Sequence, residues 1–129
     1  MKMERIDRVR AALCAQGLTQ MIVCDPKSVW YLTGVAVEPY ERLLALYLPA
    51  NGEPVLFLNK LFNVPNPPCK TVWHTDTDAP VAQIAAVVDA ANLLGIDKEW
   101  PAKFLIPLME AHPGMQVVLS SDCVDDCRA

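Results

Sequence analysis

Hydrophobic positions recur with helical spacing in some segments and in short unbroken runs in others. In residues 2–16, Met3, Ile6, Val9 and Leu13 fall on one helical face, with Glu4, Asp7, Arg8 and Arg10 around the rest. Gly17 predicts the stop of that helix. Residues 20–24, QMIVC, are an apolar run ending at Asp25-Pro26, the pattern of a buried strand entering a turn. Residues 41–59, ERLLALYLPANGEPVLFLN, hold two apolar runs on either side of Asn51-Gly52, which predicts an antiparallel hairpin. Both runs are nearly continuously apolar, so their sheet should be covered on both faces.

Pro65, Pro67 and Pro68 forbid regular structure and predict a stiff loop. Residues 71–75, TVWHT, return to strand character. Asp78 is expected to cap the next helix, with Pro80 in its first turn and Val81, Ile84, Ala85, Val88 and Ala91 as its apolar stripe. LLGID (93–97) reads as strand and turn, and residues 101–111 as a helix that Pro107 should kink or split. QVVLS (116–120) is a last strand, and Ser120-Ser121 is expected to cap a closing helix through SDCVDDCRA. This alternation predicts an α/β sandwich around a mixed sheet. The last helix ends without a cap or polar tail, the expected look of a domain cut from a longer chain.

The chain has 129 residues, 53% of them hydrophobic, which suits one domain able to fold without a metal or disulfide staple. Net charge is -4 and the basic residues are scattered, which argues against a nucleic-acid partner. No apolar stretch approaches the roughly 18–20 residues that span a bilayer. The charged N-terminus lacks the apolar core of a signal peptide. Five dispersed cysteines, Cys14, Cys24, Cys69, Cys123 and Cys127, fit reduced thiols in a cytoplasmic protein. Cys123 and Cys127 are spaced to share a helical face, but without further ligand pairs they do not make a metal site.

His74, Asp76 and Asp78 alternate in WHTDTD and would place three ligands on one side of an extended segment. No second His, Asp or Glu cluster completes a site, so a strand end leading to a helix cap is the simpler reading. His112 precedes Pro113-Gly114 and reads as a helix end. Cys24 stands at a strand end, where some α/β enzymes hold a nucleophilic thiol, but no nearby cation or Gly-rich helix start activates it. No Gly-x-Ser-x-Gly, P-loop or Gly-x-Gly-x-x-Gly occurs. The residues taken alone therefore offer no catalytic set. CDPKSVWYLTGV (24–35) remains, with Val29, Tyr31 and Leu32 expected to pack inward and Trp30 to lie on the surface. Its Trp-Tyr pair is open to three roles: core plug, ligand platform or partner contact.

DPKSVWYLTGV resembles the Asp-(Pro/Ala)-x-(Asn/Ser)-(Val/Ile)-x-Tyr-Leu-(Thr/Ser)-Gly-Phe signature of the creatinase N-terminal domain, which precedes the "pita-bread" catalytic domain of Xaa-Pro dipeptidases, aminopeptidases P and creatinases. The opening helix and strand, the hairpin, LLGID and LSSDCVDDCR are similar to the family's pattern along nearly the whole chain. Lys27 and Val35 depart from the signature and leave the subfamily open. The resemblance implies a three-layer α/β/α sandwich with a ribonuclease H-like motif, spanning 1–129 as one domain. It further implies a missing catalytic domain carrying a dinuclear Mn, Co or Zn centre, whose ligands map onto no residue here. No catalytic or metal residue is therefore carried over. The implied role is to help hold a homo-oligomer together, such as a dimer, and to wall the active-site cleft of an enzyme acting on short proline-containing peptides. Trp30, Tyr31 and Thr33 are the candidates to border that cleft or an interface. Two alternatives share the fold: the N-terminal domain of a creatinase-like amidinohydrolase, and a stand-alone protein-binding module.

Overall fold

The computed structural model describes residues 1–129. Its strands are β1 (Gln20–Val23), β2 (Ala45–Pro49), β3 (Val55–Asn59), β4 (Lys70–His74), β5 (Leu94–Ile96) and β6 (Val117–Leu119). Its helices are α1 (Met3–Ala15), α2 (Pro26–Thr33), α3 (Pro80–Val87), α4 (Ala102–Ala111) and α5 (Asp122–Arg128). The strands form one mixed sheet in the order β4-β3-β2-β1-β5-β6. The hairpin is antiparallel, with Ala45 opposite Phe57, and β1 runs antiparallel to β2. The β3–β4, β1–β5 and β5–β6 pairs are parallel.

Strand periodicity sorts the core into two halves. On β2, Leu46 and Leu48 point to one face, where they meet Ile6, Val9 and Leu13 of α1 and Val29 and Leu32 of α2. Ala45 and Tyr47 point to the other, with Phe57, Ile84 of α3 and Leu108 of α4. The unbroken apolar runs of the hairpin are thus buried on both sides, as their composition requires. Helices α1, α2 and α5 cover one face and α3 and α4 the other, giving a three-layer α/β/α sandwich.

Three local expectations are corrected. Asp78 does not cap α3: the N-cap position is Ala79, and the Asp78 carboxylate accepts the Thr75 amide at 2.7 Å instead. A short acidic side chain bonding back across its own turn competes with capping. Ser121 occupies the N-cap position of α5 without a cap bond, because its hydroxyl accepts the Lys98 amide at 2.8 Å and serves a different junction. Pro107 lies inside α4 and does not split it. The carbonyl that this proline leaves without a donor belongs to exposed Lys103, where water can satisfy it.

Candidate functional site

The chain leaves β1 at Cys24-Asp25. The Asp25 carboxylate accepts the Ser28 amide at 3.3 Å and its hydroxyl at 3.1 Å, capping α2 with Pro26 in the first turn. Gly34 closes the helix in the left-handed conformation, φ 81°, and donates to the Trp30 carbonyl at 2.7 Å. After β1 the chain passes to the α1–α5 face, whereas after β5 it passes to the α3–α4 face. These strands are parallel neighbours, so their connections diverge and open a crevice beyond their carboxyl ends, where open α/β sheets receive ligands.

Buried Asp97 ties the floor of this crevice together. Its Oδ2 accepts the Cys24 amide at 3.0 Å and the Asp25 amide at 2.9 Å, and its Oδ1 accepts the Glu99 amide at 3.0 Å. The crevice encloses about 490 Å³ and is walled by Pro39, Tyr40, Trp100 and Phe104, among others. Tyr40 holds φ 51°, an uncommon conformation for an aromatic residue, and is 80% exposed at the rim. Arg128 lies 3.7 Å from Asp25 and 3.6 Å from Asp125, and Lys98 pairs with Asp125 at 3.0 Å. The Cys24 thiol is pushed far above its ordinary range, first by burial and then by the charges of Asp97 and Asp25. It stays protonated and is a poor nucleophile.

The three residues singled out in the sequence have different surroundings. Trp30 is 51% exposed and forms an open shelf with Pro26 and Val37 next to the crevice. Tyr31 turns inward: Arg8 donates to its hydroxyl at 3.0 Å, and the hydroxyl donates to the Cys127 carbonyl at 3.1 Å. The Arg5 guanidinium stacks 4.5 Å from its ring centre. Tyr31 thereby binds α1, α2 and α5 to one another. Buried Thr33 donates to the Val29 carbonyl at 2.6 Å and accepts the Val35 amide at 3.0 Å, finishing the helix end. Both hydroxyls are engaged within the domain, and Trp30 alone faces solvent.

The WHTDTD segment does not assemble a ligand set. Asp76 pairs with Arg42 at 3.2 Å and accepts from Asn59 at 2.8 Å. His74 is buried with neither ring nitrogen bonded, and burial holds its pKa below the ordinary value. No three His, Cys, Asp or Glu side chains converge to hold a metal ion. No helix is long and apolar enough to cross a membrane.

The sequence matches the Creatinase/Prolidase N-terminal domain family over residues 5–129. The chain belongs to this family. It is 29% identical to the probable dipeptidase PepE of Mycobacterium tuberculosis, over 96% of this chain and 35% of that one. The crystal structure of dipeptidase PepE from Mycobacterium ulcerans superposes with a TM-score of 0.79 at 26% identity, covering 98% of this chain and 36% of that chain. The creatinase/prolidase N-terminal domain of an X-Pro dipeptidase from Streptococcus pyogenes has the same fold, with a TM-score of 0.78 at 23% identity and 98% and 99% coverage. The chain spans 35% or less of the length of the curated relatives it matches.

Asp97, Trp100 and Arg128 had no local signal as crevice residues. Asp97 reaches an amide 73 positions away, a proximity only the strand order creates. The one hint was the Asp directly after a predicted strand in LLGID, a position that faces the carboxyl end of the sheet.

Proposed function

We propose that this chain is the non-catalytic N-terminal domain of a metal-dependent Xaa-Pro dipeptidase or aminopeptidase, walling the active-site cleft and helping to hold the oligomer together. The family match over residues 5–129 carries this reading. The exposed Trp30 shelf supports a contact role, since an amphipathic aromatic at the surface suits an interface or a cleft wall. The catalytic partner is the chain's own C-terminal domain, and its dinuclear metal centre lies there. The donors of this chain do not fit such a centre, because none converge in threes. Five free cysteines suit a reducing, cytoplasmic setting.

The test compares residues 1–129 with the product of the whole reading frame, each supplied with Mn²⁺ and Xaa-Pro dipeptides. The expected result is proline release by the whole product and none by residues 1–129. Turnover by residues 1–129 alone would overturn the assignment. Hydrolysis of creatine in place of peptides would transfer it to the amidinohydrolases.

A further inference from the structure

The crevice beyond β1 and β5 holds more buried donors than the protein satisfies. Trp100 lines it and is 6% exposed, yet its Nε1–H finds no acceptor in the protein. Arg128 lines it too, and its buried Nε–H is likewise unpaired. Buried donors without acceptors carry the whole cost of desolvation, so two at one crevice call for an external acceptor. A planar carboxylate matches a guanidinium edge and an indole N–H together.

The remaining charges restrict what else that acceptor can carry. The lining has five carboxylates against four cations, which disfavours a polyanion such as a phosphate ester. Asp97 is saturated by main-chain amides, and Asp125 is paired with Lys98 and Arg128. Glu38 and Glu99 have no ion-pair or side-chain hydrogen-bond partner and stand exposed at the rim, ready for a cation. Pro39, Tyr40, Pro101 and Phe104 supply apolar surface, and the volume of about 490 Å³ lies in the usual small-molecule range. We propose that this crevice binds a small zwitterion, an α-amino acid or dipeptide with an apolar side chain, whose carboxylate is held by Trp100 Nε1–H and Arg128 and whose ammonium is met by Glu38 and Glu99. This site is a property of the domain itself, separate from peptide cleavage elsewhere in a longer protein.

The test is ¹⁵N NMR of residues 1–129 titrated with L-phenylalanine, reading the three indole N–H signals, with Trp30 and Trp73 as internal controls. The Trp100 indole signal should shift and saturate with a dissociation constant on the order of 1 mM, the strength suited to a ligand of about a dozen non-hydrogen atoms. Trp100→Phe keeps the ring but removes the donor. Each of Trp100→Phe and Arg128→Gln, with well-dispersed spectra, should weaken binding about tenfold, followed through the Asp25 amide. Phenylpropionate, lacking the amine, and phenethylamine, lacking the carboxylate, should each bind about tenfold more weakly. No saturable shift up to about 20 mM overturns the proposal, as does a shift confined to Trp30. Equal binding by phenylpropionate overturns the zwitterion assignment. Because the readout is binding to residues 1–129, none of these results depends on whether the longer protein cleaves Xaa-Pro bonds.

Discussion

Gly95 sits at the centre of β5, and a Cβ built there would lie 2.5 Å from Ser120 Oγ and 2.6 Å from Ser120 Cβ. Ser120 is buried, so it has nowhere to retreat without moving the start of α5. Gly95→Ala should therefore destabilise the domain by about 1–3 kcal/mol, the range for overpacking. In urea unfolding the midpoint should fall with an unchanged slope, and Ser120→Gly in the same chain should restore part of it. His74 sets a different dependence at this scale. Its folded pKa lies below its ordinary 6.5 because burial disfavours the imidazolium, while Asp78 and Asp76 oppose that shift incompletely. Below about pH 6.5 the unfolded chain binds a proton that the folded chain refuses, so stability falls with pH until the folded pKa is reached. Asp76 and Asp78 have pKa values lowered by their own hydrogen bonds, so their contribution is lost only at pH near and below the ordinary 3.8. His74→Phe should flatten the stability profile between pH 7 and 5 and leave the acid limb intact. A profile unchanged over pH 7 to 5 would show that another group governs it.

Asp97 acts between elements, holding the exits of β1 and β5 together through the Cys24, Asp25 and Glu99 amides. Asp97→Ala strands those amides in a buried junction, and about 2–4 kcal/mol of stability should be lost. Hydrogen exchange should quicken at Cys24 and Asp25 before it does in the hairpin, since the damage is local at first. The hairpin and α1 were legible in the sequence because their signals are local: two apolar runs around Asn51-Gly52, and Ile6, Val9 and Leu13 on one helical face. The inward turn of Val29 and Leu32 and the exposure of Trp30 followed from the same periodicity. The order β4-β3-β2-β1-β5-β6 was not legible, because parallel pairing such as Val55 with Lys70 leaves no turn signature. The crevice inherited that blindness. Asp97, Trp100 and Arg128 look like ordinary surface or cap residues until the strand order brings them beside Cys24 and Asp25. Asp78 and Ser121 failed as caps for a related reason, since each oxygen had a competing donor that spacing alone could not rank.

At the scale of the molecule, the two faces of the sandwich are unequal in what they present. Tyr31 closes the α1–α2–α5 layer from within, so its loss would be felt as stability: two helices depend on its hydroxyl through Arg8 and the Cys127 carbonyl. Trp30, its neighbour, is half exposed and contributes little to the core. Trp30→Ala in residues 1–129 should thus change stability by no more than about 0.5 kcal/mol, as for surface positions in general. If the shelf of Trp30, Pro26 and Val37 meets a cleft or a second subunit, the same substitution in the longer protein should act there instead. A buried aromatic anchor at an interface typically costs about 2 kcal/mol or more when truncated, roughly a thirtyfold rise in KM or in the dimer dissociation constant. The two measurements separate the roles cleanly. A stability loss in residues 1–129 would make Trp30 a folding residue, and an unchanged KM and dimer constant in the longer protein would remove it from the cleft and the interface alike.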